Sequence, residues 1–215
     1  MRDNPQNHRL THFEALYRAS SDPWNYATSP YEQQKYTATL AGLLRPHYSS
    51  AIEVGCSIGV LSAQLCQRCD RFLGLDLSPT ALELARRRLA HCRDVALRQV
   101  EVPRQWPRRK ADLIVLSEVL YYLDEAELAE LARHVDGSLM PGGEVVIVAS
   151  RGPTDTPLCG LSATRVFTRA LRRLRRMEGL VHALAKGYLH RTLRCRELEH
   201  SRENPAKPQR TQNAL

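Results

Sequence analysis

Hydrophobic positions along this chain change their period sharply around residue 55. Residues 51–54, Ala-Ile-Glu-Val, form a short apolar run that stops at Gly55; from Gly59 onward the apolar positions of residues 60–66 recur at helical spacing. This pattern predicts a strand, a glycine turn and a helix. Residues 72–75 read as a second buried strand, and Asp76 stands at its carboxyl end, about 20 residues beyond the glycines. In open α/β sheets an acid at that place accepts the hydroxyls of a ribose, so a nucleoside ligand is expected.

The alternation continues downstream. Residues 95–100 fit a third strand, residues 111–116 a fourth that delivers Ser117 and Glu118 at its end, and residues 144–148 a fifth, entered through a Pro141-Gly142-Gly143 turn. Two amphipathic helices lie between them. One covers residues 79–90, capped by Ser78 with Pro79 at the first helical position; the other covers 124–134, with acids in its first turn. Strands alternating with helices predict an α/β fold, a doubly wound and mostly parallel sheet with helices on both faces. Beyond residue 160 the pattern fades. Residues 161–174 read as a basic helix and 188–193 as one candidate strand, while the sixth and seventh strands are poorly marked.

Ahead of the sheet, residues 11–17 have helical spacing that Asp22-Pro23-Trp24-Asn25-Tyr26 interrupts. Ser29 then acts as N-cap, Pro30 takes the first helical position and Glu32 closes a capping box, for a helix reaching residue 44. Trp24, Tyr26 and Tyr31 make an aromatic segment that either packs on the domain or closes over it as a lid. The expected organisation is a helical cap over residues 1–48, one cofactor-binding domain over 49–200, and a disordered polar tail over 201–215.

A length of 215 residues holds one full core but not two ordinary ones. The hydrophobic share of 43% and charged share of 25% suit a soluble globular protein, and no apolar run is long enough to span a bilayer. No apolar stretch follows the polar first residues, so no secretory signal is seen and the cytoplasm is the expected compartment. The formal charge of +8 is unevenly placed: residues 1–150 hold 17 Lys and Arg against 18 Asp and Glu, residues 151–215 hold 14 against 5. Arg169, Arg172, Arg173, Arg175 and Arg176 read as the solvated face of one helix, or as an RNA-binding surface that no recognition motif accompanies. Six cysteines suit a reducing compartment. Cys66 and Cys69 are the one close pair; lacking a second CxxC or a His pair at ligand spacing, they read as structural, and no metal is expected.

The glycine turn narrows the ligand. A dinucleotide site needs G-x-G-x-x-G, whereas only Gly55 and Gly59 stand here. Glu53-Val54-Gly55-Cys56-Ser57-Ile58-Gly59 resembles instead the E/D-x-G-x-G-x-G turn of class I methyltransferases that use S-adenosylmethionine, with Ser57 replacing the middle glycine. A Cβ at Ser57 narrows the cofactor's passage unless the backbone adopts a region open to L-residues, and its hydroxyl could bond the methionine carboxylate. With Asp22-Pro23-Trp24-Asn25-Tyr26, Pro30-Tyr31-Glu32-Gln33-Gln34-Lys35-Tyr36 and Ser117-Glu118-Val119-Leu120-Tyr121-Tyr122-Leu123, the turn resembles the nodulation protein S family over residues 10–160.

That resemblance implies a single-domain, Rossmann-like class I methyltransferase with an N-terminal helical lid. It implies S-adenosyl-L-methionine as donor and S-adenosyl-L-homocysteine as product. The acceptor it implies is the free amine on the non-reducing-end glucosamine of a deacetylated chito-oligosaccharide, the Nod factor backbone. No nucleic acid, membrane or obligate protein partner is expected. The alternative is a methyltransferase acting on RNA or another macromolecule through the basic C-terminal segment.

The expected cofactor-binding residues are Glu53, Gly55, Ser57, Gly59 and Asp76, with Glu101 near the adenine amino group and Ser117 at the end of the fourth strand. Glu118 is the candidate catalytic carboxylate, accepting a proton from the amine and stabilising its growing charge, or else it holds its loop by bonding backbone amides. Trp24, Tyr31, Tyr121 and Tyr122 are candidate faces for pyranose rings. Thr154 and Asp155 offer polar groups to a sugar from the loop after the fifth strand, and Trp106, between prolines, reads as a packing anchor.

Overall fold

Five parallel strands carry the centre of the protein. In this computed structural model, which describes residues 5–153 and 156–196, they are β1 (Ala51–Val54), β2 (Phe72–Asp76), β3 (Val95–Gln99), β4 (Ala111–Ser117) and β5 (Leu139–Ser150). They pair in the order β3-β2-β1-β4-β5. Two further strands, β6 (Met177–Leu184) and β7 (Tyr188–Cys195), extend the sheet: β7 runs antiparallel to β5, and β6 antiparallel to β7 at the edge. Connections are made by α3 (Val60–Leu65), α4 (Pro79–Arg88), α5 (Glu125–Ser138) and α6 (Gly160–Leu174), while α1 (Pro5–Ala19) and α2 (Pro30–Ala41) precede the sheet. The chain goes from β1 outward to β3 and returns to β4 on the other side of β1. That reversal opens a crevice at the carboxyl ends of β1 and β4.

Both faces of the sheet are covered. Ile52, Leu73, Ile114 and Ile147 pack with α5 and α6, whereas Phe72, Leu113, Val115 and Val146 pack on the other face with α3 and Tyr36 of α2. Burial on both faces is the reason these strands read as unbroken apolar runs.

Several expectations shift. Pro141 to Gly143 do not form a turn ahead of β5; they lie inside it, beside a register shift between Ala111 and Leu113 of β4. β6 escaped the pattern because it is an edge strand exposed along most of its length, with no buried face to impose alternation. α2 ends at Ala41, and Ser29 Oγ accepts from the Glu32 N–H, but the Glu32 side chain does not return to complete the capping box and turns to Lys35 instead. α6 ends at Leu174, so Arg175 leaves the basic stripe and pairs with Asp136 at 2.7 Å. Cys66 and Cys92 bring their sulfurs together between the end of α3 and the segment after α4, and Cys69 is buried. Trp106 packs as read, stacked on His134 and donating to Ser138 Oγ at 2.7 Å. The tail over 201–215 lies outside the described residues, among which no helix is long and apolar enough to cross a membrane.

Candidate active site

Where β1 ends, the chain needs conformations that only glycine adopts freely. Gly55 and Gly59 have φ of +76° and +79°; a Cβ would come 2.3 Å from the Val119 side chain at Gly55 and 3.2 Å from Ala85 of α4 at Gly59. Ser57 between them also has a positive φ, +50°, in the small left-handed region open to L-residues. Its N–H donates to Asp76 Oδ2 at 2.8 Å, and its hydroxyl meets the Tyr17 hydroxyl of α1 at 2.5 Å.

Asp76 closes β2 and accepts a second N–H, from Ser78, at 2.9 Å. Burial raises its carboxyl pKa, against the opposing pull of the Ser78 and Ser57 amides. A carboxylate has about four lone-pair sites, so these amides leave Asp76 with acceptor capacity toward the cleft it lines. Beneath the turn, Glu53 is buried and accepts from the Ser62 hydroxyl. Burial pushes its carboxyl up to about 8; the Ser62 bond opposes this and the neighbouring Asp76 charge adds to it.

These residues open on a cleft of about 780 Å³, counting its mouth, at the ends of β1, β2 and β4. Asp76, Glu101, Ser117, Glu118 and Tyr122 line it from the sheet side; Arg9, Phe13 and Tyr17 of α1 line it with Trp24 and Tyr26. Trp24 stacks on Tyr26 with centroids 5.4 Å apart and meets Tyr17 edge-on at 5.6 Å. α1 is pinned there by Glu14, which accepts from Thr80 Oγ1 at 2.8 Å and from the Ser78 hydroxyl. Glu101 stands 3.9 Å from Arg9, and its Oε1 is buried without a hydrogen-bond partner. A smaller hollow, lined by Glu32, Lys35, Tyr36 and Glu53, shares Gly55, Ser57 and Glu118 with the cleft.

Glu118 sits between the two spaces in a strained conformation, φ +57°, held by its N–H to the Val148 carbonyl at 2.8 Å. Its Oε1 accepts from Lys35 Nζ at 2.7 Å; its Oε2 accepts from the Tyr121 hydroxyl at 2.9 Å and the Ser150 N–H at 2.8 Å. Lys35 also lies 2.9 Å from Glu32. Burial lowers the Lys35 pKa, but the Glu118 and Glu32 carboxylates more than reverse it, and the net shift is upward. Burial, then the Glu118 charge, keep the Tyr121 phenol protonated. The arrangement fixes the Glu118 carboxyl group at the border of the cleft, where it can meet a positive charge.

Of the residues singled out from sequence, the cleft unites Trp24, Gly55, Ser57, Asp76, Glu101, Ser117, Glu118 and Tyr122. Gly59 shapes the turn from behind, and Glu53 faces the smaller hollow. Two aromatic expectations are corrected. Tyr121 is buried, its hydroxyl committed to Glu118, so it presents no face to a sugar. Tyr31 is exposed against Tyr188, centroids 6.1 Å apart, and does not line the cleft. Thr154 and Asp155 lie outside the described residues. Arg9, Phe13, Tyr17, Glu32 and Lys35 were missed. For the last two a signal exists: Glu32, Lys35, Tyr36 and Thr39 share the buried face of α2, polar groups at the spacing where a core stripe is expected.

A β3-β2-β1-β4-β5 sheet extended by antiparallel β7, with a glycine turn after β1 and an acid ending β2, defines a class I S-adenosylmethionine-dependent methyltransferase, and the chain is one. Residues 6–155 match the profile of the family described as Nodulation protein S. The chain belongs to that family. It is 33% identical to nodulation protein S of Bradyrhizobium diazoefficiens over 148 residues, 68% of this chain and 69% of that one. A Pseudomonas syringae crystal structure provisionally assigned as a methyltransferase is 35% identical, with a TM-score of 0.67 over 76% of this chain and 98% of the other. The N-methyltransferase NodS of Bradyrhizobium japonicum WM9, in complex with S-adenosyl-L-homocysteine, shares the fold at a TM-score of 0.74 and 22% identity, over 87% of this chain and 98% of that one.

Proposed function

We propose that this protein methylates the free amine on the non-reducing-end glucosamine of a deacetylated chito-oligosaccharide, in the cytoplasm. The observation that carries the reading is Glu118, a carboxyl side chain at the end of β4 that borders an aromatic-walled cleft and is paired with Lys35. The cleft fits the methyl donor: its glycine turn carries no Cβ at Gly55, the Asp76 carboxyl faces the cleft at the end of β2, and the buried Glu101 Oε1 has no hydrogen-bond partner, Arg9 standing 3.9 Å away. In this reading Asp76 accepts both ribose hydroxyls, Glu101 takes the adenine amino group, and Gly55, Ser57 and Ser117 hold the methionine end, with Glu53 setting the turn from below. The bound donor supplies a methyl group on a sulfonium, already a good leaving group.

The protein's main task is then alignment of the acceptor nitrogen. The amine attacks only when unprotonated and gains positive charge as it reacts. Glu118 stabilises that charge and accepts the proton, while Tyr121, Lys35 and Ser150 fix its position. Trp24 and Tyr122 flank the pyranose. Support for this acceptor comes from family membership and from the name of the Bradyrhizobium relative. The deciding experiment is a mass-spectrometric assay on chitin oligomers with and without one free terminal amine. Methyl gain by the deacetylated oligomer alone is expected; no gain by it overturns the acceptor.

A further inference from the structure

A stripe of arginines lies on α6, away from the cleft lining. α6 buries Ala163, Phe167 and Leu171 and turns Arg165, Arg169, Arg172 and Arg173 to solvent along one stripe, which Arg176 prolongs past the helix end. Among the described residues none of these five has an ion pair. Asp136 holds Arg175 at 2.7 Å, and Glu178 holds Arg196 at 3.3 Å.

Beside the stripe, Arg191 of β7 lies between Leu189 and Leu193, which pack in the same cluster as Phe167, so it faces the α6 side of the sheet. Its Nε is buried without a hydrogen-bond partner. The Arg172 guanidinium reaches over β6, 3.2 Å from where a Cβ on Gly179 would stand. Burial, and then the Arg172 charge, lower the Arg191 pKa. Two guanidinium groups repel each other here, with no carboxylate paired to either among the described residues, an arrangement that an external anion stabilises.

The same edge exposes apolar surface. Leu180, at the irregularity in β6, and Leu184 are 42% and 56% exposed. Leu184 is in register with Leu189, and cross-strand partners share a face, so it emerges on the α6 side. Phe167 is buried here, and the one exposed ring among the described residues of this face is His182, in register with Arg191, which by itself makes no platform for successive nucleobases. Guanidinium groups with leucines beside them suit phosphate headgroups over an acyl boundary better than a nucleic-acid backbone. We infer that the face formed by α6 and β6 docks this protein, peripherally, on an anionic phospholipid bilayer. The inference is independent of the acceptor proposed above.

The test is co-sedimentation of the full chain with phosphatidylcholine vesicles, with and without phosphatidylglycerol, at low and high salt. Partitioning onto the anionic vesicles should exceed that onto the neutral ones at least about tenfold, since each basic residue near such a surface contributes about 1 kcal/mol. The combined variant Arg165→Glu, Arg169→Glu, Arg173→Glu should lose at least about tenfold of that partitioning with an unchanged melting temperature. Leu180→Ser with Leu184→Ser should retain low-salt binding and lose what survives in high salt. No binding to anionic vesicles, or equal binding by the arginine variant, overturns the inference. So does binding of single-stranded RNA through the same arginines by a protein that ignores the vesicles. Methyl transfer to a soluble amino sugar should persist in all these variants, which separates failure here from failure of the acceptor reading.

Discussion

Lys35 Nζ stands 2.7 Å from Glu118 Oε1 and joins α2 to the end of β4 across 83 residues of sequence. The Lys35 side chain is 4% exposed and that of Glu118 14%, so the pair is shielded from solvent. An ammonium at this depth stays charged because carboxylates flank it on two sides. Through the same carboxylate, α2 is coupled to Tyr121 and to the Ser150 backbone. The segment ahead of the sheet and the candidate base thus form one electrostatic unit.

Replacing Lys35 by Met leaves Glu32 and Glu118 buried without their cation. Breaking one side of a buried pair costs about 3–5 kcal/mol, and urea unfolding at neutral pH should show a loss of that size. The pH dependence has a definite sign. The Lys35 pKa is raised above its unfolded value of about 10.4, so its stabilising effect is complete below that pH and fades as pH rises through the folded value. The gap between wild type and Lys35→Met should therefore hold near neutrality and narrow in strongly alkaline solution. A gap that is absent at neutral pH would show that the bridge carries no net stability.

Glu118→Gln keeps an acceptor for Ser150 and removes the charge. Loss of a positioned acid–base group should lower kcat about 10²-fold, with the affinity for S-adenosyl-L-homocysteine changed little. Single-turnover rates and calorimetry measure the two separately. Normal turnover in this variant would return Glu118 to a purely structural part, anchoring β5 and Tyr121.

Asp76→Ala removes the proposed ribose acceptor. Loss of a hydrogen bond to a charged group corresponds to about 1.5–3 kcal/mol, so calorimetric affinity for S-adenosyl-L-homocysteine should fall roughly ten- to hundredfold. Asp76 also accepts the Ser57 and Ser78 amides, and the turn loses those anchors as well. Unchanged affinity would remove Asp76 from the binding site.

Much of this was legible in the residues, and the gaps have physical causes. Strands buried on both faces leave continuous apolar runs, so β1, β2, β4 and most of β5 could be read directly, and Ser29, Ser78 and Asp124 mark the helix starts after them. β6 could not be read, because an exposed edge strand imposes no pattern on its side chains. The cleft's sheet-side wall follows from strand ends, which sequence order fixes. Its other wall is contributed by α1, whose contacts with Ser57, Ser78 and Glu127 are tertiary and leave no local trace. Tyr121 and Tyr122 are neighbours in sequence and their rings touch, centroids 4.7 Å apart, yet one is buried with its hydroxyl on Glu118 and the other lines the cleft; nothing in the dipeptide marks which is which. The Lys35 bridge is an intermediate case: its charges on a buried helix face were visible, but the partner 83 residues away was not.

The buried Glu53 gives a prediction with the opposite sign to that of a surface carboxylate. Its folded pKa of about 8 lies above the ordinary value of 4.5, so the native state holds the proton more tightly than the unfolded chain. Its contribution to stability is complete below the unfolded value and is lost as pH rises from there through about 8. In the Glu53→Gln variant the side-chain amide has no proton to lose in this range and still offers an acceptor to Ser62. Wild type should therefore lose stability relative to that variant between about pH 5 and 8, with a limiting slope of roughly 1.4 kcal/mol per pH unit. Asp76, also raised by burial, is coupled to Glu53, so the difference between the two proteins reports the titration of the pair. Urea midpoints measured across that range decide the matter: parallel curves would mean that Glu53 is ionised in the native state, and that a charge, not a neutral carboxyl, lies under the glycine turn.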